Sequence, residues 1–287
     1  MVVATLLFSL NPILYRQLTI QPVTILWSVN VVALATLSVS LMWQGRVRAL
    51  AAIGPRAGLV ALLAVCFTCN NALFISALLK TTVANATLAH YLAPVLVVFP
   101  GSVLVRERVG PTAVIAVLLS LAGLTAMLVP NALTLGNAHV LGLALGAGSA
   151  VFFALEIVLK KVLAKTQDAD VLVARMLLIS VLLLSPWCDY SALAGARRQE
   201  IGVLVCAGMV TSAFAISLFT GALRTVDAHR AAAISYLEPL GAIVCAALLI
   251  FEVPNRYELT GGLFIVAGTA LVVWFDPSTQ RPHVEDA

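Results

Sequence analysis

The feature that most constrains this chain is the spacing of its charges. Lys, Arg, Asp and Glu gather in short clusters, and the apolar stretches between them run for roughly 18 to 25 residues. A helix rising 1.5 Å per residue needs that length to cross about 30 Å of hydrocarbon. Of the 287 residues, 61% are hydrophobic and 10% are charged. A water-soluble domain carries about 25% charged residues, so this composition cannot cover a soluble surface. The chain reads as an all-α polytopic membrane protein.

Apolar runs set against charge, Pro and Gly give ten spans, near 1–16, 23–43, 57–79, 82–105, 111–129, 139–159, 170–188, 201–223, 230–251 and 258–275. The loops are short, and 276–287 reads as a polar cytoplasmic tail. Orientation follows from Lys and Arg. One set of loops and the tail holds Arg46, Arg48, Arg56, Arg106, Arg108, Lys160, Lys161, Lys165, Arg224, Arg230 and Arg281; the opposite loops hold Arg16, Lys80, Arg197, Arg198 and Arg256. Both termini are expected in the cytoplasm, and the chain in the cell inner membrane. The net charge of +4 reads as loop anchoring beside lipid headgroups, with no nucleic-acid partner. Five cysteines, an odd number in or beside apolar segments, argue against a disulfide framework. Cys66 and Cys69 read as buried thiols. Met1-Val2-Val3-Ala4 lacks the basic start of a signal peptide.

Shifting the chain on itself by 145 residues aligns its halves. Leu73-Phe74 falls on Leu218-Phe219, Tyr91-Leu92 and Pro94 on Tyr236-Leu237 and Pro239, Glu107 on Glu252, Ala122-Gly123 on Ala267-Gly268, and Phe8, Leu10 and Arg16 on Phe153, Leu155 and Lys161. Five crossings per repeat is an odd number, so the second half enters from the opposite side. Two inverted five-helix repeats, 1–130 and 139–275, suit a secondary transporter with its site near the midplane. The same shift places the counterpart of the sixth span's start before Met1, so a longer natural start is expected.

Ser235-Tyr236-Leu237-Glu238-Pro239, Phe251-Glu252 and Ala267-Gly268, with the weaker Tyr91-Leu92-Ala93-Pro94 and Arg106-Glu107, resemble the EamA-type domain of the drug/metabolite transporter superfamily. The resemblance implies ten helices, two EamA domains and export or exchange of small metabolites, with bacterial amino-acid exporters as the nearest branch. Ala93 stands where the family often has Glu, which breaks any symmetrical role for that carboxylate.

A charge at the bilayer centre costs at least about 2.5–3.5 kcal/mol, so it needs a cavity or a partner. Glu238 lies in the middle of the ninth span, and Pro239 deprives the Ser235 carbonyl of its helical partner. A carboxylate beside unsatisfied backbone suits an ion or substrate site; a structural network at a helix kink suits the same residues. His90 and Pro94 form the matching feature in the fourth span. A water-accessible His there would exchange protons near pH 6.5, and a satisfied core histidine is the alternative. Tyr91 and Tyr236 would wall the site with aromatic faces and polar tips. Asn11 and Asn70 are candidate cavity amides; Asn30, Asn71 and Asn85 read as interhelical glue. Asn70 and Asn71 point about 100° apart, so at most one faces a shared cavity. Glu156 is a candidate ion-pair partner for Arg175, with Lys160 equally near. Gly142 and Gly146 mark close helix packing.

No phosphate-binding loop, G-x-S-x-G, H-E-x-x-H or G-x-G-x-x-G occurs in the chain, so no cofactor, metal or enzymatic role is expected. The leading reading is a secondary transporter exporting a small organic metabolite, with membrane lipid and protons, as the coupling ion, as its other partners. A non-transporting scaffold or receptor, or an intramembrane enzyme using His90 and Glu238, are the alternatives.

Overall fold

The computed structural model describes residues 1–15, 17–51, 56–81, 86, 89–101, 110–132, 137–249 and 256–275. Every described element is helical, and ten helical segments match the ten spans. They are α1 (Val2–Phe8, resuming as Asn11–Tyr15), α2 (Pro22–Trp43), α3 (Ala57–Lys80), α4 (Ala93–Pro100 in its later part) and α5 (Pro111–Ala132). The second half holds α6 (Asn137–Ala164), α7 (Ala169–Leu184), α8 (Arg198–Ala222), α9 (Ala228–Ser235 and Leu237–Leu249) and α10 (Arg256–Phe275). Among the described residues, five are long and apolar enough to cross a bilayer unaided: α2, α3, and the helices of 140–164, 169–187 and 198–222. Leu182, Leu248 and Leu263 are 63%, 71% and 72% exposed. On a soluble surface they would be aggregation sites; here they face lipid.

The helix ends follow from local chemistry. Pro22 opens α2 after an extended Gln21, because a first-turn proline forfeits a hydrogen bond that no helix makes there. Gly45, at φ 69°, ends it. That left-handed turn lets the Arg46 amide reach back to Leu41 O at 2.8 Å. Asp168 caps α7, its Oδ1 accepting from the amides of Asp170 and Val171.

The packing obeys the internal repeat. α3 lies on α6 as α8 lies on α1; α3 touches α7 as α8 touches α2; α4 touches α6 as α9 touches α1. The pairs α2–α7, α4–α9 and α5–α10 map onto themselves. A two-fold relation between the halves requires this pattern. The α5–α10 seam is set by equivalent glycines. A Cβ on Gly123 would stand 2.6 Å from Gly261 O, and one on Gly268 would stand 2.7 Å from Ala116 O. Gly142 and Gly146 act as expected: added Cβ atoms would lie 2.5 Å from Thr81 Cβ and 2.8 Å from Ala89 Cβ.

The loops gather on two faces. On one, Asp168 pairs with Arg46 at 3.1 Å and Arg224 at 3.9 Å, and Arg56 donates to Thr166 Oγ1 at 2.9 Å. Burial pushes the Asp168 carboxyl up, but hydrogen bonds from Arg46 and from the Val171 and Asp170 amides, with the charge of Arg46, outweigh it. The group therefore stays below the usual carboxylate range. On the other face Glu200 Oε1 accepts from Thr19 N at 3.0 Å and Thr19 Oγ1 at 2.7 Å, while Trp27 donates to Ser185 Oγ at 3.1 Å. The basic loops 2–3, 6–7 and 8–9 thus share one face, as the charge pattern demands.

Two assignments change. α6 runs on to Ala164, so Lys160 and Lys161, counted above as loop cations, are each only 3% exposed. Glu156 does not pair with Arg175. Arg175 instead donates to Ala49 O, to Leu50 O at 3.4 Å and to Gln167 Oε1 at 3.1 Å, holding the 2–3 loop from below. Residues 276–287, Asn85, Glu107 and Glu252 lie outside the described residues.

Candidate functional site

Three helices break inside the bundle, and the breaks meet. α4 loses its helical pattern at Tyr91-Leu92 and α9 at Tyr236, each three residues before a proline that cannot donate to the preceding turn. α1 breaks at Ser9-Leu10, and the Ser9 hydroxyl donates to the backbone carbonyl of Glu238 at 2.8 Å. Gly241 permits that approach, since a Cβ there would collide with Ser9 Oγ. The two tyrosines of the repeat stack on each other with centroids 5.7 Å apart. Tyr236 Oη donates to the Tyr91 carbonyl at 3.0 Å, satisfying backbone that the break in α4 exposes.

Glu238 is half-buried, with the Tyr91 phenol as its side-chain hydrogen-bond partner. Tyr15 of α1 stands within electrostatic reach, beside Thr211. Thr211 belongs to eight residues of π-helix, Ala207–Phe214, inserted in α8. π-Segments widen a helix by one residue per turn and recur at functional sites. Among the described residues, no basic side chain pairs with Glu238.

His90 is 8% exposed and looks toward α6. Its Nδ1 lies 2.8 Å from Ser149 Oγ, which donates to Gly146 O at 2.6 Å. A hydroxyl has one proton, so Ser149 accepts from Nδ1–H and leaves Nε2 as the free lone pair. The ring packs between Phe74, at 4.4 Å, and Phe153, at 5.0 Å, with Tyr91 edge-on at 5.4 Å. His90, Tyr91, Tyr236 and Glu238 therefore form one continuous cluster. Asn70 lies apart from it, one helical turn along α3 from Phe74. Its Nδ2 donates to Glu156 Oε2 at 2.9 Å, while Glu156 Oε1 holds Lys160 Nζ at 2.6 Å. The ammonium lies 5.7 Å from the Phe67 ring centroid. Asn11 keeps a buried Oδ1 with no partner, as does Asn70. Asn71 bonds back to Phe67 O on its own helix at 2.8 Å, so one of the adjacent amides faces α6, as the helix geometry demands. Asn30 joins α2 to α7 through Ser180 Oγ at 3.0 Å.

Sequence reasoning overlooked Tyr15, Thr211, Ser9 and Ser149. One signal for Tyr15 was available. The repeat shift places Asn11 and Tyr15 on Glu156 and Lys160, the same two positions on corresponding helices.

The sequence profile of the EamA-like transporter family matches residues 1–129 and 140–274. The chain belongs to this family. Among its relatives is an uncharacterized transporter of Archaeoglobus fulgidus, 32% identical over 202 residues, 70% of either chain. The uncharacterized transporter YwfM of Bacillus subtilis is 30% identical over 78% of this chain and 75% of its own. Protein RarD of Salmonella typhi is 26% identical, over 86% and 82% respectively. A crystal structure with a TM-score of 0.79 at 20% identity covers 94% of each chain and shares the fold. This EamA-family protein is a multi-pass membrane transporter, and the meeting breaks of α1, α4 and α9 are the irregular backbone that such proteins place where a cavity or protein shields it from lipid.

Proposed function

We propose that this protein is a secondary transporter that exports a small organic metabolite, an amino acid or a related compound, across the cell inner membrane by alternating access. The observation that carries the reading is the meeting of repeat-equivalent helix breaks, Tyr91 on Tyr236, with the Glu238 carboxylate beside them. Such discontinuities expose backbone carbonyls and amides to a substrate without exposing them to lipid. The two repeats rock about this point, with no nucleotide hydrolysis and no enzymatic step. Protons serve as the coupling ion, carried by Glu238 and by the free Nε2 of His90. Both termini face the cytoplasm, on the side of the Arg46–Asp168–Arg224 cluster.

Counterflow into proteoliposomes decides the transport reading. Labelled solute should accumulate against unlabelled solute for at least one member of a panel of amino acids, sugars, organic acids and amines, and a flat panel would overturn it. An imposed pH gradient should drive uphill flux that falls in His90→Gln and Glu238→Gln. Orientation is read by impermeant thiol labelling in a cysteine-free background: Ser191→Cys labels in intact cells and Thr166→Cys does not. The reverse pattern refutes the topology.

A further inference from the structure

Hydroxyl protons around Glu238 are committed to oxygens of the protein. Tyr91 gives its phenol proton to the Glu238 carboxylate. Tyr236 gives its own to Tyr91 O at 3.0 Å. Thr211 donates to Ala207 O at 2.8 Å, so toward the neighbouring Tyr15 hydroxyl it can only accept. Ser9 donates to Glu238 O. Acceptor lone pairs remain on the carboxylate, on the phenol oxygens of Tyr15 and Tyr91, and on the buried, unpartnered Oδ1 of Asn11, which lies one turn before Tyr15 on the same side of α1. A carboxylate or phosphate entering here would meet the charge of Glu238 with no basic side chain paired to it among the described residues. A group with several N–H donors and a positive charge would find acceptors, a counter-charge and aromatic faces.

The protein contains its own example of the fit. At Glu156 a carboxylate, itself held by the Asn70 amide, already bonds an ammonium, that of Lys160, at 2.6 Å, with the Phe67 ring beside it. Glu238 has a comparable set of oxygens and rings without a lysine. We propose that Glu238, with Tyr15, Tyr91 and Asn11, binds the protonated primary amine of the transported molecule, so that the substrate supplies at Glu238 the ammonium that Lys160 supplies at Glu156. The assignment rests on the transport reading above and names the substrate's charged group.

Binding and transport are tested separately. Thermal unfolding of the detergent-solubilised full chain is followed with millimolar phenethylamine, isoamylamine, 3-phenylpropionate and 4-methylpentanoate, two matched pairs differing in the charged group. A ligand that binds only the folded state raises the midpoint. The amines should raise it and the acids should not. Glu238→Gln should weaken the amine effect tenfold or more, Glu238→Asp should retain most of it, and Tyr15→Phe should weaken it a few-fold. Equal shifts from acid and amine, no shift from either amine, or an undiminished amine shift in a Glu238→Gln protein with an unaltered elution profile would each overturn the assignment. Counterflow keeps the two readings apart. If sugars or organic acids exchange and amines do not bind, transport stands and the amine site falls.

Discussion

Among the described residues, two carboxylates lie inside this bundle, and they are built in opposite ways. Glu156 on α6 carries its own counter-charge one turn away, is 4% exposed, and has both oxygens bonded. Glu238 on α9 is half-buried, meets the phenols of Tyr91 and Tyr15, and faces no cation among the described residues. The repeat makes the contrast sharper. Asn11 and Tyr15 occupy on α1 the positions that Glu156 and Lys160 occupy on α6, so one half holds an ion pair where the other holds two neutral polar groups. A duplicated scaffold has thus diverged into a self-satisfied half and an unsatisfied half. An ion pair with all its partners in place resists exchange with solutes, so chemistry with an outside molecule belongs to the Glu238 side.

The largest effect should come from breaking the satisfied half. Lys160→Met leaves Glu156 buried without its charge partner and should cost about 3–5 kcal/mol, read by denaturant or thermal unfolding in detergent. Glu156→Met with Lys160→Met should recover most of that loss, because two well-packed apolar chains remove the desolvation penalty with the attraction. A double variant as unstable as the single one would show that the pair organises the fold rather than compensating itself.

Next in size is the attempt to make the two halves alike. Tyr15→Lys supplies an internal ammonium near Glu238 and should weaken binding of phenethylamine at least tenfold, about 1.4 kcal/mol, by thermal shift. Unchanged binding would mean that Tyr15 and Glu238 do not act on one ligand. Tyr236→Phe removes a single hydrogen bond and leaves the Tyr91 carbonyl unpaired at the break; a loss of about 0.5–1.5 kcal/mol follows. Glu238→Gln, by contrast, should leave unfolding within about 0.5 kcal/mol of the wild type, since no fixed cation loses its partner. A large loss there would reveal a structural counter-ion and erase the comparison.

The smallest effect lies outside the membrane, at the Asp168 cluster. Its folded pKa sits below the ordinary value, so its stabilisation is present above about pH 4 and fades as pH falls through the folded value. Unfolding of wild type and Asp168→Asn should differ by a constant, small amount from pH 7 to pH 5 and converge in stronger acid. A difference that already disappears at pH 6 would assign the titration to another group.

The amino-acid sequence by itself determined the membrane class, the ten crossings, the 145-residue repeat and the gathering of basic loops on one face. All four depend on quantities that accumulate along the chain: the apolar length a bilayer demands, the charge that each loop carries, and the rarity of matched Tyr and Pro in one register. It also singled out Tyr91, Tyr236, Pro94 and Pro239, because proline acts on its own helix through covalent geometry. Which side chains face one another was decided by tertiary structure. Glu156 was legible as an ion-pair partner, but Arg175 across the hairpin and Lys160 one turn along the helix both stood as candidates, and the extension of α6 to Ala164 settled the choice. His90 was legible as a titratable group, yet its tie to Ser149 depends on how closely Gly146 lets α6 approach α4. Thr211 carried no signal of its own, and Tyr15 carried only its repeat match to Lys160. The two come near each other because the π-segment of α8 packs on α1, and contacts between helices distant in sequence are set by packing, which no single stretch of the chain encodes.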